Sequence, residues 1–374
     1  NISLEKFNKV REYIKSKGLK THTDVILGLP GETKESYLNG LRKVTDQKFD
    51  QVVTFNCRLL GGTEMNTPTY IRDHGIKTKY RMLTQGYGIY RGIISVENEE
   101  VILSTNTMSR DEILEMRPVN WFLYLFWNNG YYVEFMKFVQ QLDINPIDYI
   151  LYLMENLKIS KDEIGNLYAN FLKESEDEWY DTSEELFEEN SKFINGKLKA
   201  ENFAKLNAKY TSAVIFNFKE EMAQKLTEVT IDICKDKFGN EKTKKIEKDI
   251  FDAVNFCSEK SINILDIKEN KFKQKKVDFI YDYPKWIKEN NGEEKIKKYN
   301  GGVSLYFYLS EEKKKRIEDA MEIHNYKDIT EVHMKLIEVL HTKDLFYDIG
   351  YKESIDKLDV KIEDKAITSW AQES

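Results

Sequence analysis

The residues with the clearest chemical potential form a short turn between an apolar segment and a helix-like segment. Gly28-Leu-Pro-Gly-Glu32 begins at the last residue of the apolar run 22–28, and Thr33 begins the next segment. Gly28 would let a ligand approach the backbone closely, and Pro30-Gly31 favours a rigid turn. The N–H groups of a helix that starts after Thr33 would attract an anionic or carboxylate group. An ordinary strand-to-helix turn explains the same residues, so both interpretations stay open.

Side chains at alternate positions indicate which groups would surround a ligand near this turn. Asp24, Ile26 and Gly28 share one face of the first predicted strand, and Asn56 and Arg58 share a face of the second. If helices cover the apolar faces, Asp24, Asn56 and Arg58 converge inside a barrel-like sheet. A buried Arg or Asp must be paired or bound to a ligand. Two interpretations follow: an Asp24–Arg58 ion pair, or a cradle for a polar ligand.

The histidines and cysteines of this chain do not predict a metal site. The last three histidines are spaced by 9 and 8 residues, which does not give the i, i+3 or i, i+4 adjacency of two ligands on one helix. The cysteines form no Cys-x-x-Cys pair, so we expect buried, reduced side chains and a reducing cytoplasm. The residues concerned are His324, His333, His341, Cys57, Cys234 and Cys257.

Alternating helices and strands are predicted to hold the turn in place. Helical spacing of apolar residues runs over residues 4–17, and a second helix is predicted from Thr33 to about Gln47. Residues 51–60 form another apolar run, which predicts a strand. This order of helix, strand, helix and strand is typical of parallel strands that are joined by crossover helices.

Glycine and helix-cap signals divide the chain near residue 110. Ten of the 18 glycines lie in about the first quarter of the chain, which predicts a turn-rich first part. Later, Ser109 and Ser160 each precede a Glu at the third following position, and Asn145 precedes Pro146, all of which are helix-start signals. We therefore predict one domain over residues 1–110 and a large helical accessory domain over residues 111–374.

Composition and charge exclude several classes of protein. The 374 residues include 57 basic and 64 acidic side chains, a net charge of -7 that argues against a dedicated nucleic-acid binder. With 5 prolines and 41% hydrophobic residues, the chain is neither collagen-like nor of low complexity. No uncharged stretch reaches the ~20 apolar residues of a membrane-spanning helix. The acidic run 174–190 and the lysine-rich run 268–276 are interpreted as solvated faces, with partner or nucleic-acid docking as the alternative.

Two motifs resemble one enzyme superfamily. Residues 23–36, Thr-Asp-Val-Ile-Leu-Gly-Leu-Pro-Gly-Glu-Thr-Lys-Glu-Ser, resemble the fifth strand and following helix of radical S-adenosylmethionine (SAM) enzymes, above all those with an N-terminal cobalamin-binding domain. Residues 58–64, Arg-Leu-Leu-Gly-Gly-Thr-Glu, resemble the end of the sixth strand. The similarity covers residues 1–118. It implies an α/β plus mostly α fold: the last βα units of a partial (β/α)6 barrel, followed by the helical domain.

The resemblance also implies a cofactor site. Ile26 and Gly28 match positions that contact the adenine of SAM in this family, and Asp24, Asn56 and Arg58 would line the same site. Family members cleave SAM reductively at a [4Fe–4S] cluster to form a 5′-deoxyadenosyl radical, and cobalamin, where present, relays a methyl group. The parent enzyme is thus expected to modify or methylate a substrate that the sequence does not identify.

One hallmark of the superfamily is missing from the chain. The first four strands and the cluster-binding Cys-x-x-x-Cys-x-x-Cys loop are not among these residues, and the first residue is Asn instead of Met. We therefore expect a C-terminal fragment that depends on the missing N-terminal half as its partner and is inactive alone. The alternative is a non-catalytic helical interaction module with a small α/β cap.

Overall fold

The computed structural model describes residues 4–194, 205–269, 271, 274–323, 332, 334–337, 340, 342–352 and 362–364. These residues form a mixed α/β structure in which helices predominate. The chain divides into two compact units: Asn1–Asn129 with Asp143–Tyr210, and Gly130–Leu142 with Thr211–Ser374. The predicted domain boundary near residue 110 stays a prediction.

Helices and strands alternate at the start of the chain and helices dominate its middle. In chain order the first elements are α1 (Leu4–Ser16), β1 (His22–Leu27), α2 (Lys34–Asp46), β2 (Gln51–Asn56), α3 (Pro68–His74), β3 (Lys77–Tyr90), β4 (Ile93–Ser104), α4 (Arg110–Leu123), α5 (Val133–Gln141), α6 (Pro146–Ile159), α7 (Glu163–Asp177) and α8 (Ser183–Ile194). They are followed by α9 (Leu206–Asn217), α10 (Lys219–Phe238), α11 (Asn240–Lys260), α12 (Ile264–Lys268), β5 (Gln274–Tyr281), α13 (Tyr283–Asn290), β6 (Lys298–Tyr308), α14 (Glu311–Ile323), β7 (Asp348–Gly350) and β8 (Ile362–Asp364). None of these described helices is both long enough and apolar enough to cross a membrane.

The predicted parallel strands are confirmed. β1 pairs with β2 in parallel, in a register that sets Leu27 opposite Asn56, and α2 connects the two strands. β2 ends at Asn56, before the predicted end at residue 60, because the chain then turns towards β4. There Arg58 forms an antiparallel bridge with Val101.

The start of α2 also agrees with the prediction. Thr33 Oγ1 accepts a hydrogen bond from the Ser36 N–H at 3.1 Å, and Ser36 Oγ accepts one from the Thr33 N–H at 2.9 Å. This reciprocal capping box satisfies two N–H groups at the beginning of the helix. Tyr37, Leu38 and Leu41 lie on the buried side of α2, so the cap and the apolar spacing define the same helix.

β3 and β4 form a long antiparallel hairpin that the sequence did not predict. Tyr90 pairs with Ile93 next to the turn, and Lys77 pairs with Ser104 at the far end. The register shifts between Met82 and Tyr87, so the ladder is irregular in its middle. The hairpin brings residues that are distant in sequence into direct opposition, which matters for the site described below.

The core of the first unit is built around α4. Ser109 begins this helix as predicted, with its N–H donating to Glu112 Oε2 at 2.8 Å. Trp121 is 1% exposed, and its ring stacks on that of Phe171 from α7 with 4.5 Å between the ring centroids. Stacked aromatic rings add to the stabilisation that their buried area provides.

The π-helical turn Tyr124–Asn128, which follows α4, forms hydrogen bonds with the backbone of β2 and of the segment just before it. The side-chain amide of Asn128 accepts a hydrogen bond from the Val52 N–H and donates one to the Val52 carbonyl, both at 2.8 Å. Trp127 Nε1 donates to the carbonyl of Phe49 at 2.9 Å. Side chains thus supply the partners that a further strand would provide at this position.

α7 begins differently from the prediction. Ser160 was expected to cap it, whereas Asp162 Oδ1 accepts the hydrogen bond from the Gly165 N–H at 2.7 Å, and Ser160 instead ends α6. The chain therefore turns back tightly between the two helices. A Cβ atom at Gly165 would lie 2.4 Å from the carbonyl oxygen of Ser160, so the close approach of the backbone requires glycine.

We expect Gly165→Ala to lower the free energy of unfolding by about 1–3 kcal/mol, because the added methyl group must push the backbone of Ser160 away. Gly40 in α2 offers the matched control, since a Cβ there meets nothing within 4 Å. Gly40→Ala should raise the free energy of unfolding by about 0.5–1 kcal/mol. Urea denaturation measures both variants, and destabilisation of equal size in the two would contradict the steric explanation.

Beyond residue 110 the described residues contain the predicted helices, together with strands that the sequence did not predict. The second unit contains a four-stranded sheet in the order β7-β6-β5-β8. β6 is antiparallel to β5 and β7, whereas β8 pairs in parallel with β5. Phe279 and Tyr281 of β5 are buried at alternate positions of a strand. Two lysines lie in the first half of this strand, so the sequence shows no clear alternation of apolar and polar residues there.

The two charged runs are only partly solvated. Lys275 of the lysine-rich run is 15% exposed, pairs with Glu259 and lies 4.7 Å from the ring centroid of Tyr347. Glu178 of the acidic run is 23% exposed and pairs with Arg117. The interpretation as solvated faces is therefore wrong for Lys275 and Glu178. Residues 270, 272 and 273 lie outside the described residues.

Candidate functional site

One face of the small β1–β2 sheet is exposed. In the parallel register Asp24 lies opposite Val53 and Ile26 lies opposite Phe55, and opposed residues share a face. Ile26 is 40% exposed and Phe55 is 45% exposed, which is unusual for apolar side chains on a parallel sheet. We call these four residues the open face.

Asn56 lies on the other face of the sheet. It is opposite Leu27, which is 1% exposed, so its side chain is on the covered side. The prediction that Asp24 and Asn56 converge is therefore wrong. Alternation within each strand was predicted correctly, but the register between strands decides which faces coincide. A change of one residue in register exchanges the two faces, and alternation alone carries no information about it.

The alternative Asp24–Arg58 ion pair is also wrong. Asp24 Oδ1 lies 3.6 Å from His22 Nε2 on its own strand. Arg58 lies beyond the end of β2, where its Nε is 2.5 Å from Glu99 Oε2 of β4. The turn of the chain after Asn56 thus directs Arg58 to the hairpin.

Gly28 is required by the backbone of the turn. Its φ is +89°, a conformation that favours glycine, and an added Cβ would lie 3.4 Å from Ile113 Cδ1. Burial raises the pKa of the nearby Glu32 carboxyl, and the backbone of Gly28 opposes that change. The cap at Thr33 already occupies N–H groups at the start of α2. The role of Gly28 towards a cofactor stays a prediction, as do those of Asp24 and Ile26.

A cavity of about 560 Å³, lined by both apolar and charged residues, adjoins the open face. Asn56 and Arg58 line it, so the structure brings these two predicted residues together, while the other three predicted site residues are not in its wall. Val53 and Phe55 belong both to the open face and to the cavity wall. The remaining lining residues are Thr54, Arg81, Met82, Leu83, Glu99, Arg117, Asn120, Tyr124, Glu178, Tyr180, Asn190, Lys205, Leu206, Asn207 and Ala208.

Five charged side chains form a continuous series of ion pairs in the cavity wall. The two carboxylate oxygens of Glu99 each lie 2.5 Å from an Nε atom, one of Arg58 and one of Arg81. Glu178 Oε1 lies 2.5 Å from Arg117 Nη2 and 3.4 Å from Arg81 Nη1. The series Arg58–Glu99–Arg81–Glu178–Arg117 alternates in sign and has a guanidinium group at each end. We call it the charge series.

Arg117 is the buried end of the charge series. Its side chain is 7% exposed, and burial lowers the pKa of the guanidinium group while Glu178 opposes that change. With the amide of Asn56 oriented to satisfy both of its polar atoms, the oxygen accepts hydrogen bonds from Arg117 Nη1 at 2.8 Å and from Arg81 Nη1 at 3.3 Å. The ring of Trp179 lies 5.5 Å from the guanidinium carbon of Arg117, which adds a cation–π contact.

Sequence reasoning missed four members of the charge series. Arg81 and Glu99 oppose each other directly in the β3–β4 hairpin, so a prediction of that hairpin and its register would have paired them. Arg117 lies on α4 and Glu178 lies in the acidic run, and no local signal connects them. Their contact depends on how α7 packs against α4.

The described part of the chain contains no candidate metal centre. Among those residues, no group of three or more His, Cys, Asp or Glu side chains is placed to hold a metal ion. The three cysteines are buried and free, as predicted. Burial raises the pKa of the thiols of Cys57 and Cys257 and that of Cys234, to about 11 for the last. His324, His333 and His341 lie outside the described residues.

Parts of the chain are similar to two methyltransferases. No family model matches the chain. It is 27% identical over 183 residues to the 2-(S-pantetheinyl)-carbapenam-3-carboxylate methyltransferase of Streptantibioticus cattleyicolor. The aligned segment covers 46% of this chain and 26% of that protein. The chain is also 28% identical over 117 residues to the cobalamin-dependent radical SAM methyltransferase TokK of Streptomyces tokunonensis. This aligned segment covers 31% of this chain and 17% of that protein.

These matches support a relationship to the radical SAM superfamily. The aligned part of the chain spans 26% of one relative's length and 17% of the other's. The similarity therefore describes a portion of each enzyme.

Proposed function

We propose that this chain is the C-terminal part of a radical SAM methyltransferase in which cobalamin carries the methyl group. The match to TokK is the observation that carries the proposal. The segment of β1, α2 and β2, whose motifs resemble the same superfamily, supports it. In this proposal residues 1–110 are the last βα units of a partial (β/α)6 barrel. Residues 111–374 are its accessory domain.

The open face fits the adenine of SAM. Ile26 and Phe55 lie opposite each other on adjacent strands and are both about half exposed, which makes an apolar surface for a flat base. Asp24 lies on the same face and offers a carboxylate to an amino or hydroxyl group. SAM, when bound, supplies the methyl group and the radical precursor. The residues of this chain bind the cofactor, orient it and exclude water from it.

The described residues do not fit a [4Fe–4S] cluster. Such clusters are held by several Cys thiolates that lie close together, whereas Cys57 lies in the first unit and Cys234 and Cys257 lie in the second. Burial also raises the pKa of all three thiols, which disfavours the thiolate. No step is therefore assigned to a cluster on this chain. In the proposal its ligands, and the cobalamin site, belong to another part of the polypeptide.

The proposal is tested with the longest natural polypeptide that contains these residues, reconstituted anaerobically with iron and sulfide. We expect it to convert SAM to 5′-deoxyadenosine under reducing conditions, and we expect the 374-residue chain alone not to do so. Chromatographic detection of 5′-deoxyadenosine is the measurement. If the longest polypeptide neither binds nor cleaves SAM, the proposal fails and the non-catalytic interaction module is favoured.

The open face is tested by Ile26→Glu in the same polypeptide. A carboxylate at this position must lose water against an apolar base, so we expect at least about tenfold weaker SAM binding, or about 1.4 kcal/mol. Ile159→Glu is the matched control, because Ile159 at the end of α6 is 80% exposed and lies outside the open face. Equilibrium dialysis with SAM compares the two variants. Equal affinity in both would exclude the open face as the adenine site.

A further inference from the structure

The cavity wall of the first unit carries more positive than negative charge. The charge series contains three guanidinium groups and two carboxylates, so one positive charge is not compensated within it. Lys205 also lines the cavity and has an interaction of its own. Uncompensated charge in a partly desolvated wall is unfavourable, and an anion that enters the cavity removes this penalty.

Arg58 is the end of the charge series that a ligand can reach. Its side chain is 48% exposed, against 7% for Arg117 at the other end. Within the described part of the chain its ion-pair partner is Glu99, which it meets through Nε. The two terminal nitrogens of its guanidinium group have the fork geometry that binds a carboxylate with two parallel hydrogen bonds.

We propose that this cavity binds small organic acids and holds their carboxylate on Arg58. Its volume of about 560 Å³ lies within the range of roughly 300–1,000 Å³ that is usual for small-molecule sites. Phe55, Leu83 and Tyr124 provide apolar and aromatic walls for the organic part of the ligand.

The role of this ligand as the methyl acceptor rests on the proposed function. Phe55 belongs to both the open face and the cavity wall, so an acid held on Arg58 would lie next to the proposed adenine surface. The class of substrate would then be carboxylate-bearing small molecules. Binding of the acid itself does not depend on SAM.

The balance of charge favours a carboxylate over a phosphate. The charge series leaves one positive charge, which matches a monoanion, whereas the second charge of a phosphate dianion on Arg58 would lie near the carboxylate of Glu99, the ion-pair partner of Arg58. Like charges at short distance repel strongly where water is partly excluded. A carboxylate should therefore bind more tightly than a phosphonate that carries the same hydrocarbon chain.

Binding of three matched probes to the 374-residue chain tests the proposal: 3-phenylpropionate, its neutral amide 3-phenylpropanamide, and 2-phenylethylphosphonate. Ligand-observed NMR titration measures the three affinities. We expect the carboxylate to bind at least about tenfold more tightly than the amide, and more tightly than the phosphonate. Arg58→Gln should remove the preference for the carboxylate, and its thermal unfolding midpoint reports whether the fold is kept.

Arg72→Gln is the control variant, since Arg72 on α3 is 73% exposed and pairs with its neighbour Asp73. It should bind all three probes like the natural chain. Equal binding of acid and amide, or an unchanged preference in Arg58→Gln, would overturn the acid site, and tighter phosphonate binding would replace it by a phosphoryl site. If acids bind but the longest polypeptide does not cleave SAM, the site stands and its role as a methyl-acceptor site fails. If SAM is cleaved and no acid binds, the proposed function stands and the acid site fails.

Discussion

Glu178→Leu is expected to lower the free energy of unfolding by about 3–5 kcal/mol, because it leaves the buried guanidinium group of Arg117 without its nearest carboxylate. Arg117 Nη2 lies 2.5 Å from Glu178 Oε1, and the Arg117 side chain is 7% exposed. Asn56 would remain as a neutral partner, and Arg81 adds a second positive charge nearby. Urea denaturation followed by tryptophan fluorescence measures the loss.

A second substitution shows whether the loss comes from the unpaired charge. Arg117→Met in the Glu178→Leu background removes that charge and fills its place with an apolar side chain, so the double variant should be more stable than Glu178→Leu alone. Glu176→Leu, two residues earlier at the end of α7, is the control. Glu176 is 62% exposed and lies 3.4 Å from Arg110, so its replacement should cost at most about 1 kcal/mol. A double variant less stable than Glu178→Leu would refute the charge explanation.

Asp252→Asn in the second unit is expected to raise the free energy of unfolding at pH 7, by at most about 3 kcal/mol. Burial raises the pKa of Asp252 from 3.8 to about 6, and a difference of about two pH units corresponds to about 3 kcal/mol. Asp252 accepts hydrogen bonds from the Ile280 N–H at 2.9 Å and the Tyr283 hydroxyl at 3.0 Å. An amide oxygen keeps the first bond, and the amide NH2 can donate to the tyrosine oxygen.

The pH dependence of this effect has a definite sign. Because the folded state binds the proton of Asp252 more tightly than the unfolded chain does, its contribution to stability falls as the pH rises from about 4 to about 6. The advantage of Asp252→Asn should therefore be full above pH 6 and disappear below pH 4. Asp232→Asn on α10 is the control, since Asp232 is 53% exposed. An advantage that is constant from pH 4 to pH 7 would contradict a raised pKa.

Local interactions explain which parts of the fold were predictable. The Thr33–Ser36 cap, the helix that starts after Ser109 and the strand His22–Leu27 depend on residues within a few positions of each other. Such interactions can be read from spacing and residue type, because the backbone geometry of each element fixes which neighbours meet. The turn at Gly28, with its positive φ, belongs to the same class.

The parts that were not predicted depend on contacts that spacing and residue type leave undecided. Ser160 and Asp162 are both good helix caps, and the close approach of the Gly165 backbone to Ser160 accompanies the choice of Asp162. The lysines of β5 suggested a solvated segment, but β5 pairs with the distant strands β6 and β8, and Lys275 pairs with Glu259. The first choice is made within one turn of the chain, and the second depends on distant segments.

By itself, the sequence determined the parallel strand–turn–helix–strand start of the chain and the resemblance to radical SAM enzymes, because both are written in short, contiguous motifs. The tertiary structure decided which strand faces coincide, and it placed Asn56 and Arg58 in a different site from Asp24 and Ile26. It also assembled the charge series, whose members come from the segment after β2, from both strands of the hairpin, from α4 and from the segment after α7. Strand register and helix packing arise from the burial of apolar surface over the whole unit, so no single segment of the sequence contains them.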